Sequence, residues 1–197
     1  MASSEQVHVV DAVIKDHKHI DAYYKQYRAN EGNPPEQQKW ANQLFWQIAV
    51  HSIAEELTVY PAFEQYVPDG VAIAEKERSQ HQQVKDDLYQ LQNKSVGQDA
   101  DFVPLMEKMM NELTEHIQQE ETTDMPKLRE AISNDDALRL GRDFEMTKYF
   151  VPTRSHPSAP NKPPFETVAG LLAAPIDRLR DLLTKFPSEQ ELKAVEP

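Results

Sequence analysis

The sequence contains no cysteine. Disulfides, zinc–thiolate sites, iron–sulfur clusters and cysteine nucleophiles are therefore excluded. Glycine is nearly as scarce, with 5 in 197 residues. Phosphate-binding loops, dinucleotide fingerprints and hydrolase elbows need closely spaced glycines, so none of them can be built. No run approaches the roughly 18 apolar residues of a membrane-spanning helix. The amino-terminal MASSEQVHVV has no basic stretch leading into an apolar one, so no secretory signal is read and a cytoplasmic protein is expected. Positive charge is also in deficit: 21 Lys and Arg against 33 Asp and Glu leave a net charge of -12. Such a chain repels phosphate backbones and acidic bilayers, so neither nucleic acid nor membrane is expected as a partner.

What remains is rich in Gln, Glu, Lys, Leu, Ala and Met, all good helix formers, and nowhere sustains the alternation of a strand. Apolar residues recur at steps of three and four in four segments. The stripes run through Val13, Ile20 and Tyr24; Leu44, Ile48, Val59 and Phe63; Ile73, Val84 and Leu88; and Phe102, Leu105, Met109 and Leu113. Helices are predicted over 7–29, 36–66, 70–94 and 100–132, joined at Asn30–Pro35, Val67–Asp69 and Ser95–Asp99. Connections this short make successive helices antiparallel neighbours, which predicts an all-α, up-down-up-down four-helix bundle over 1–132. Residues 133–197 read as an extension of one or two further helices: a piece near 135–150, a proline-rich strap over 151–165, and an amphipathic helix carrying Val168, Leu171, Leu172, Ile176, Leu179, Leu182, Leu183 and Phe186. That last stripe needs an apolar partner, and packing back on its own bundle is expected, with a dimer contact as the alternative. Monomer and dimer both stay open.

Each bundle helix carries one histidine in its apolar stripe: His17, His51, His81 and His116. An unpaired buried imidazole is costly, so its presence there needs a reason. Two of the helices add a glutamate four residues on, as His51-Ser-Ile-Ala-Glu55 and His116-Ile-Gln-Gln-Glu120. Four residues are about 400° of helix, so each His–Glu pair shares a face. Counted from the connections at 1.5 Å per residue, the four histidines fall within about 6 Å of one height. A lone histidine on an apolar stripe is ordinarily a hydrogen-bonded core residue. Four at matching height, with two buried glutamates, point to metal. Six His and Glu donors without a thiolate suit two irons inside a helical bundle better than one structural zinc, and manganese or zinc is the lesser alternative.

The order of these motifs resembles the hemerythrin-like, or HHE cation-binding, domain family, whose signature reads H, HxxxE, H, HxxxE. Here it reads His17 in DHKHI, His51 and Glu55 in HSIAE, His81 in SQHQQV, and His116 and Glu120 in HIQQE. Glu55-Glu56 and Glu120-Glu121 match the family's paired glutamates, and Tyr60-Pro61 and Met125-Pro126 its helix exits. The resemblance covers about residues 7–130. It implies a hemerythrin-like bundle with two irons joined by an oxo or hydroxo bridge, Glu55 and Glu120 bridging, and His17, His51, His81 and His116 as terminal ligands. Glu121 rivals Glu120, because ligation at i+5 also occurs in the family, and Glu56 is expected outward or behind the ligands. Oxygen carriers of the family have two histidines one turn apart on the third helix. This sequence has Glu77 where the first would stand, so either an imidazole is missing or Glu77 joins the site. Tyr24, seven residues beyond His17, shares its face and is weighed as a supporting or additional ligand against a plain core tyrosine.

The resemblance implies a non-haem di-iron protein that binds O2, NO or peroxide, or senses iron or redox state. The oxygen-rich third helix makes peroxide or NO more plausible than reversible O2 carriage, and a catalase-like enzyme is the second reading. The third is a metal-poor interaction module that works through the carboxy-terminal helix.

Overall fold

The computed structural model describes residues 7–162 and 165–197, and of 165–172 the backbone only. Seven helices are present among them, and no strand. Helix α1 is Val9–Ala29, capped by the His8 side chain, which accepts the Val10 amide. Helix α2 spans 34–66, opening on Pro34-Pro35. Helix α3 is Gly70–Leu91 and α4 spans 102–131. Helix α5, Asn134–Thr147, is capped by Ser133. Helices α6, Phe165–Asp181, and α7, Glu189–Ala194, complete the chain, the last opened by a Ser188–Glu191 capping box.

Helices α1 to α4 form the expected all-α bundle, with α1 against α2, the second half of α2 against α3, and α3 against α4. Gly32 and Gly97 sit in the first and third connections at φ 87° and 75°, the left-handed region in which glycine carries no steric cost. The third connection, 92–101, is longer than its sequence suggests because three short turns follow α3 before Phe102.

Both long helices of the histidine motifs depart from α geometry at one place each. A π turn occupies Glu55–Val59 in α2 and another Glu120–Asp124 in α4. Each begins on the motif glutamate, and each precedes a proline, Pro61 or Pro126, one turn on. A proline ring in a continuous α-helix would strike the carbonyl four residues back. The extra residue of a π turn relieves that clash and rotates the register. The Tyr60-Pro61 and Met125-Pro126 steps therefore follow bulges inside continuing helices rather than marking exits.

The core is two apolar halves. One holds Ile20, Tyr27, Leu44, Ile48, Leu88, Phe102, Met106 and Leu113 at the end nearer the first and third connections. The other holds Val9, Val13, Val59, Tyr60, Phe63, Ile73, Met125, Leu128 and Phe144. The histidines occupy the layer between them.

The extension wraps the bundle. Helix α5 packs on α1 and on the π turn of α2. The strap is laced down at Ser155, whose amide donates to Gln92 and whose hydroxyl donates to the Lys85 carbonyl. Its Thr153 and Arg154 donate to Asp181, and His156 meets Asp177 at 2.8 Å. This pairing departs from the expected burial over the described part of the stripe. Asp177 and Asp181, one turn apart, turn inward to the strap's donors, and the apolar residues between 176 and 183 are left outside. Ile176, Leu179, Leu182 and Leu183 are exposed. Val168, Leu171 and Leu172 lie outside the residues whose side chains are described. Phe186 is half-buried, and Pro175 sits within α6.

Two stability predictions follow from this packing. A Cβ on Gly141 of α5 would stand 2.0 Å from the Val7 carbonyl oxygen, a backbone atom that has no rotamer to yield. Gly141→Ala should cost about 1–3 kcal/mol, read as a drop in melting temperature. Leu182→Lys/Leu183→Lys should leave that temperature unchanged to about 0.5 kcal/mol. A large loss in the double variant would put these leucines back in the core.

Candidate metal centre

The central layer is drawn from all four bundle helices. His17, His51, His81 and His116 are each at most 2% exposed, and Glu55, Glu56, Glu77 and Glu120 are fully buried. The histidines stand in two pairs. His17 and His51 meet edge to face with centroids 4.8 Å apart, and His81 and His116 do the same at 4.8 Å. The facing Nε2 atoms of His81 and His116 are 3.1 Å apart.

Each motif glutamate lies between the pairs. Glu55 Oε2 is 3.2 Å from His51 Nε2 and 3.4 Å from His81 Nε2. Glu120 Oε2 is 3.4 Å from His17 Nε2 and 3.8 Å from His116 Nε2. Every histidine thus turns Nε2 inward. The donor sets His17–His51–Glu55, Glu55–His81–His116 and Glu77–His116–Glu120 each gather within 4.8 Å.

The outer nitrogens all face acids. His17 Nδ1 meets Glu121 at 2.8 Å, His51 Nδ1 meets Asp16 at 3.4 Å, His81 Nδ1 meets Glu56 at 3.5 Å, and His116 Nδ1 meets Glu77 at 3.0 Å. Carboxylates in this position hold the proton on Nδ1 and leave Nε2 as the inward lone pair. Lysines back three of them: Lys148 on Asp16, Lys85 on Glu56 and Lys76 on Glu77.

The electrostatics describe a layer short of positive charge. Burial pushes the Glu55 carboxyl well above its usual range, and Glu120, Glu77, Asp16 and Glu56 add to the rise. Burial alone would hold His17 neutral, but Glu120 and Glu121 raise it to about 9. Glu120 shows the converse: burial opposes its charge, yet His17 and the other histidines hold it at about 2. His51 is dominated by burial and falls to about 4. Both oxygens of Glu55 and of Glu120, and His17 Nε2, lack a hydrogen-bond partner although fully enclosed. Such orphans are rare and costly in a folded protein. A cation fits them: two donors bound to one ion at about 2.1 Å each stand roughly 3 Å apart at a right angle, close to the spacings above.

The structure thus brings together His17, His51, Glu55, His81, His116 and Glu120, and adds Glu77 beside His116. Glu120 is the inward member of its pair and Glu121 the outward one, half-exposed at the rim. Glu56 is fully buried rather than outward, behind His81. Tyr24 stacks on Tyr27 at 6.0 Å and packs against the lower core. His19 is half-buried beside Asp16.

Two neighbours have no counterpart in the sequence reading. Asp16, 3% exposed, precedes His17, and its only signal is an acid flanking an apolar stripe. Tyr60 sets its hydroxyl 2.9 Å from His81 Nε2. It lies off the stripe that runs from Glu55 to Phe63 in steps of four, and the π turn rotates it into the core. Burial and the surrounding acids hold its phenol protonated, well above the usual range.

The comparisons give the fold and the family. A crystal structure of a hemerythrin HHE cation binding domain-containing protein from Mycobacterium kansasii superposes with a TM-score of 0.63 over 73% of this chain and 86% of that one. At 18% identity it speaks to the fold alone. An uncharacterized hemerythrin-like protein of Schizosaccharomyces pombe is 45% identical over 189 residues, which are 95% of this chain and 92% of the relative. The model of the hemerythrin HHE cation binding domain matches residues 8–128, the stretch that supplies every histidine of the layer. With its His and Glu donors in that family's order, this chain belongs to the hemerythrin HHE cation-binding domain family.

Proposed function

We propose that the chain holds two cations, iron in preference to zinc or manganese, and uses them to bind O2, NO or peroxide. One cation would take His17 and His51, the other His81 and His116, with Glu55 and Glu120 shared between them and Glu77 holding the outer nitrogen of His116. The observation that carries this reading is that each of these two glutamates faces one histidine of each pair. A single tetrahedral zinc would use four donors and leave buried carboxylates uncompensated. Imidazole with carboxylate and no sulfur suits iron. Such a pair supplies a Lewis-acid or redox site for a small ligand when bound. The chain's own part is to keep Nε2 of four histidines turned inward and to enclose the layer between two apolar halves.

A second reading is peroxide decomposition, favoured by Glu77. That residue stands where the oxygen carriers have a second imidazole on the third helix, and its buried carboxylate meets the outer nitrogen of His116, so that half of the centre has one imidazole fewer. The enzyme would evolve O2 from hydrogen peroxide, and His81→Ala and Glu120→Ala would abolish it.

Elemental mass spectrometry on protein purified without an affinity-metal step should find about two irons per chain, and His51→Ala/His116→Ala should lose them. One zinc, or no metal after reconstitution, would refute the proposal.

Glu55→Gln provides a separate check. It replaces a buried carboxyl that has no hydrogen-bond partner with an amide of the same shape that cannot ionise. Metal-free protein should melt at the same temperature or higher, by about 2–4 °C for each kcal/mol relieved. Metal-loaded protein should melt lower than loaded wild type, because a donor is lost. A drop in both forms would make Glu55 a structural hydrogen-bonding residue instead.

A further inference from the structure

Helix α5 lies beyond the matched family segment 8–128, yet it closes one wall of the centre. Its Phe144 is fully buried and sets its ring edge-on to His51, with centroids 6.1 Å apart. One turn on, Lys148 lies 4.8 Å over the Phe144 ring. Its ammonium donates to both oxygens of Asp16, each at 2.9 Å, and to Glu145 at 3.0 Å. Asp16 in turn faces His51 Nδ1 at 3.4 Å. The sequence of groups is lysine, buried carboxylate, Nδ1.

The same sequence recurs across the centre. Lys85 pairs with Glu56, and Glu56 Oε1 faces His81 Nδ1 at 3.5 Å. There the lysine comes from bundle helix α3, one turn after His81. On the His51 side the bundle supplies the carboxylate and the extension supplies the lysine.

An imidazole that binds metal through Nε2 is oriented by whatever accepts its Nδ1 proton, and losing that partner costs roughly 10–100-fold in metal affinity. Asp16 can act as such a partner only while it stays charged and in place. At 3% exposure it cannot rely on water, and a buried carboxylate without a cation is strongly disfavoured.

We propose that Lys148 is a positioning residue of the metal centre: by fixing Asp16 it orients His51 and holds the cation on the His17/His51 side. The proposal rests on the two-cation reading above. It makes α5 part of the site, with the bundle incomplete at that corner without the extension.

The test is the rate at which loaded full-length protein releases metal to excess EDTA, followed by elemental analysis. In Lys148→Met one of the two ions should leave about tenfold faster or more, while the other leaves at the wild-type rate. Lys148→Arg should restore slow release, and Lys148→Met/Lys85→Met should speed both ions. Far-ultraviolet dichroism and melting of the metal-free variants control for folding; should Lys148→Met lose helix, Asp16→Asn carries the same expectation. Wild-type release of both ions in a folded Lys148→Met or Asp16→Asn overturns the proposal, as does equal acceleration of both. If wild-type protein holds no metal to begin with, the two-cation reading fails and this proposal falls with it.

Discussion

Asp16, Glu55, Glu56, Glu77, Glu120 and Asp124 lie inside the bundle, each at most 3% exposed. Buried carboxylates are tolerated only when positive charge is buried with them. Lysines supply some of it from the periphery, at Asp16, Glu56, Glu77 and Asp124. None of these reaches the inner oxygens of Glu55 and Glu120, which lie near imidazole nitrogens and have no hydrogen-bond partner. Metal cations between the two histidine pairs would close that deficit. The rest of the structure is arranged to keep the layer dry, with an apolar half above it and another below.

The π turns serve the same layer. A helix that runs in α register through Glu55 and on to Pro61 would put the proline ring against a carbonyl. The bulge absorbs the proline and presents two successive glutamates, so that Glu55 turns inward between the histidine pairs while Glu56 backs His81. In α4 the same device sends Glu120 inward and Glu121 to the outer nitrogen of His17. One backbone distortion thus yields an inner donor and an outer support from adjacent residues, and it does so on two opposite helices.

The extension illustrates how a local pattern and its tertiary setting can part. The apolar residues at Ile176, Leu179, Leu182 and Leu183 read as a face that needs burying. The strap beneath α6, however, presents the Arg154 backbone amide and guanidinium, the Thr153 hydroxyl and the His156 ring. Satisfying those groups with Asp177 and Asp181 turns the helix the other way. Periodicity tells which residues share a face, not which face has a partner, because the partner is set by residues distant in sequence.

The amino-acid sequence by itself determined the bundle, its four helices and the convergence of His17, His51, Glu55, His81 and His116 with one glutamate of the Glu120-Glu121 pair. Those follow from helical period, connection length and a fixed rise per residue, all of which are local. Only the tertiary structure decided that Glu120 rather than Glu121 turns inward, that Glu77 stands against His116, that Tyr60 enters the core and that Lys148 reaches Asp16 across 132 positions. The first and third depend on a π turn that shifts register by one residue, and the others on which side chains meet across helices. Neither is written in the spacing of residues along one helix.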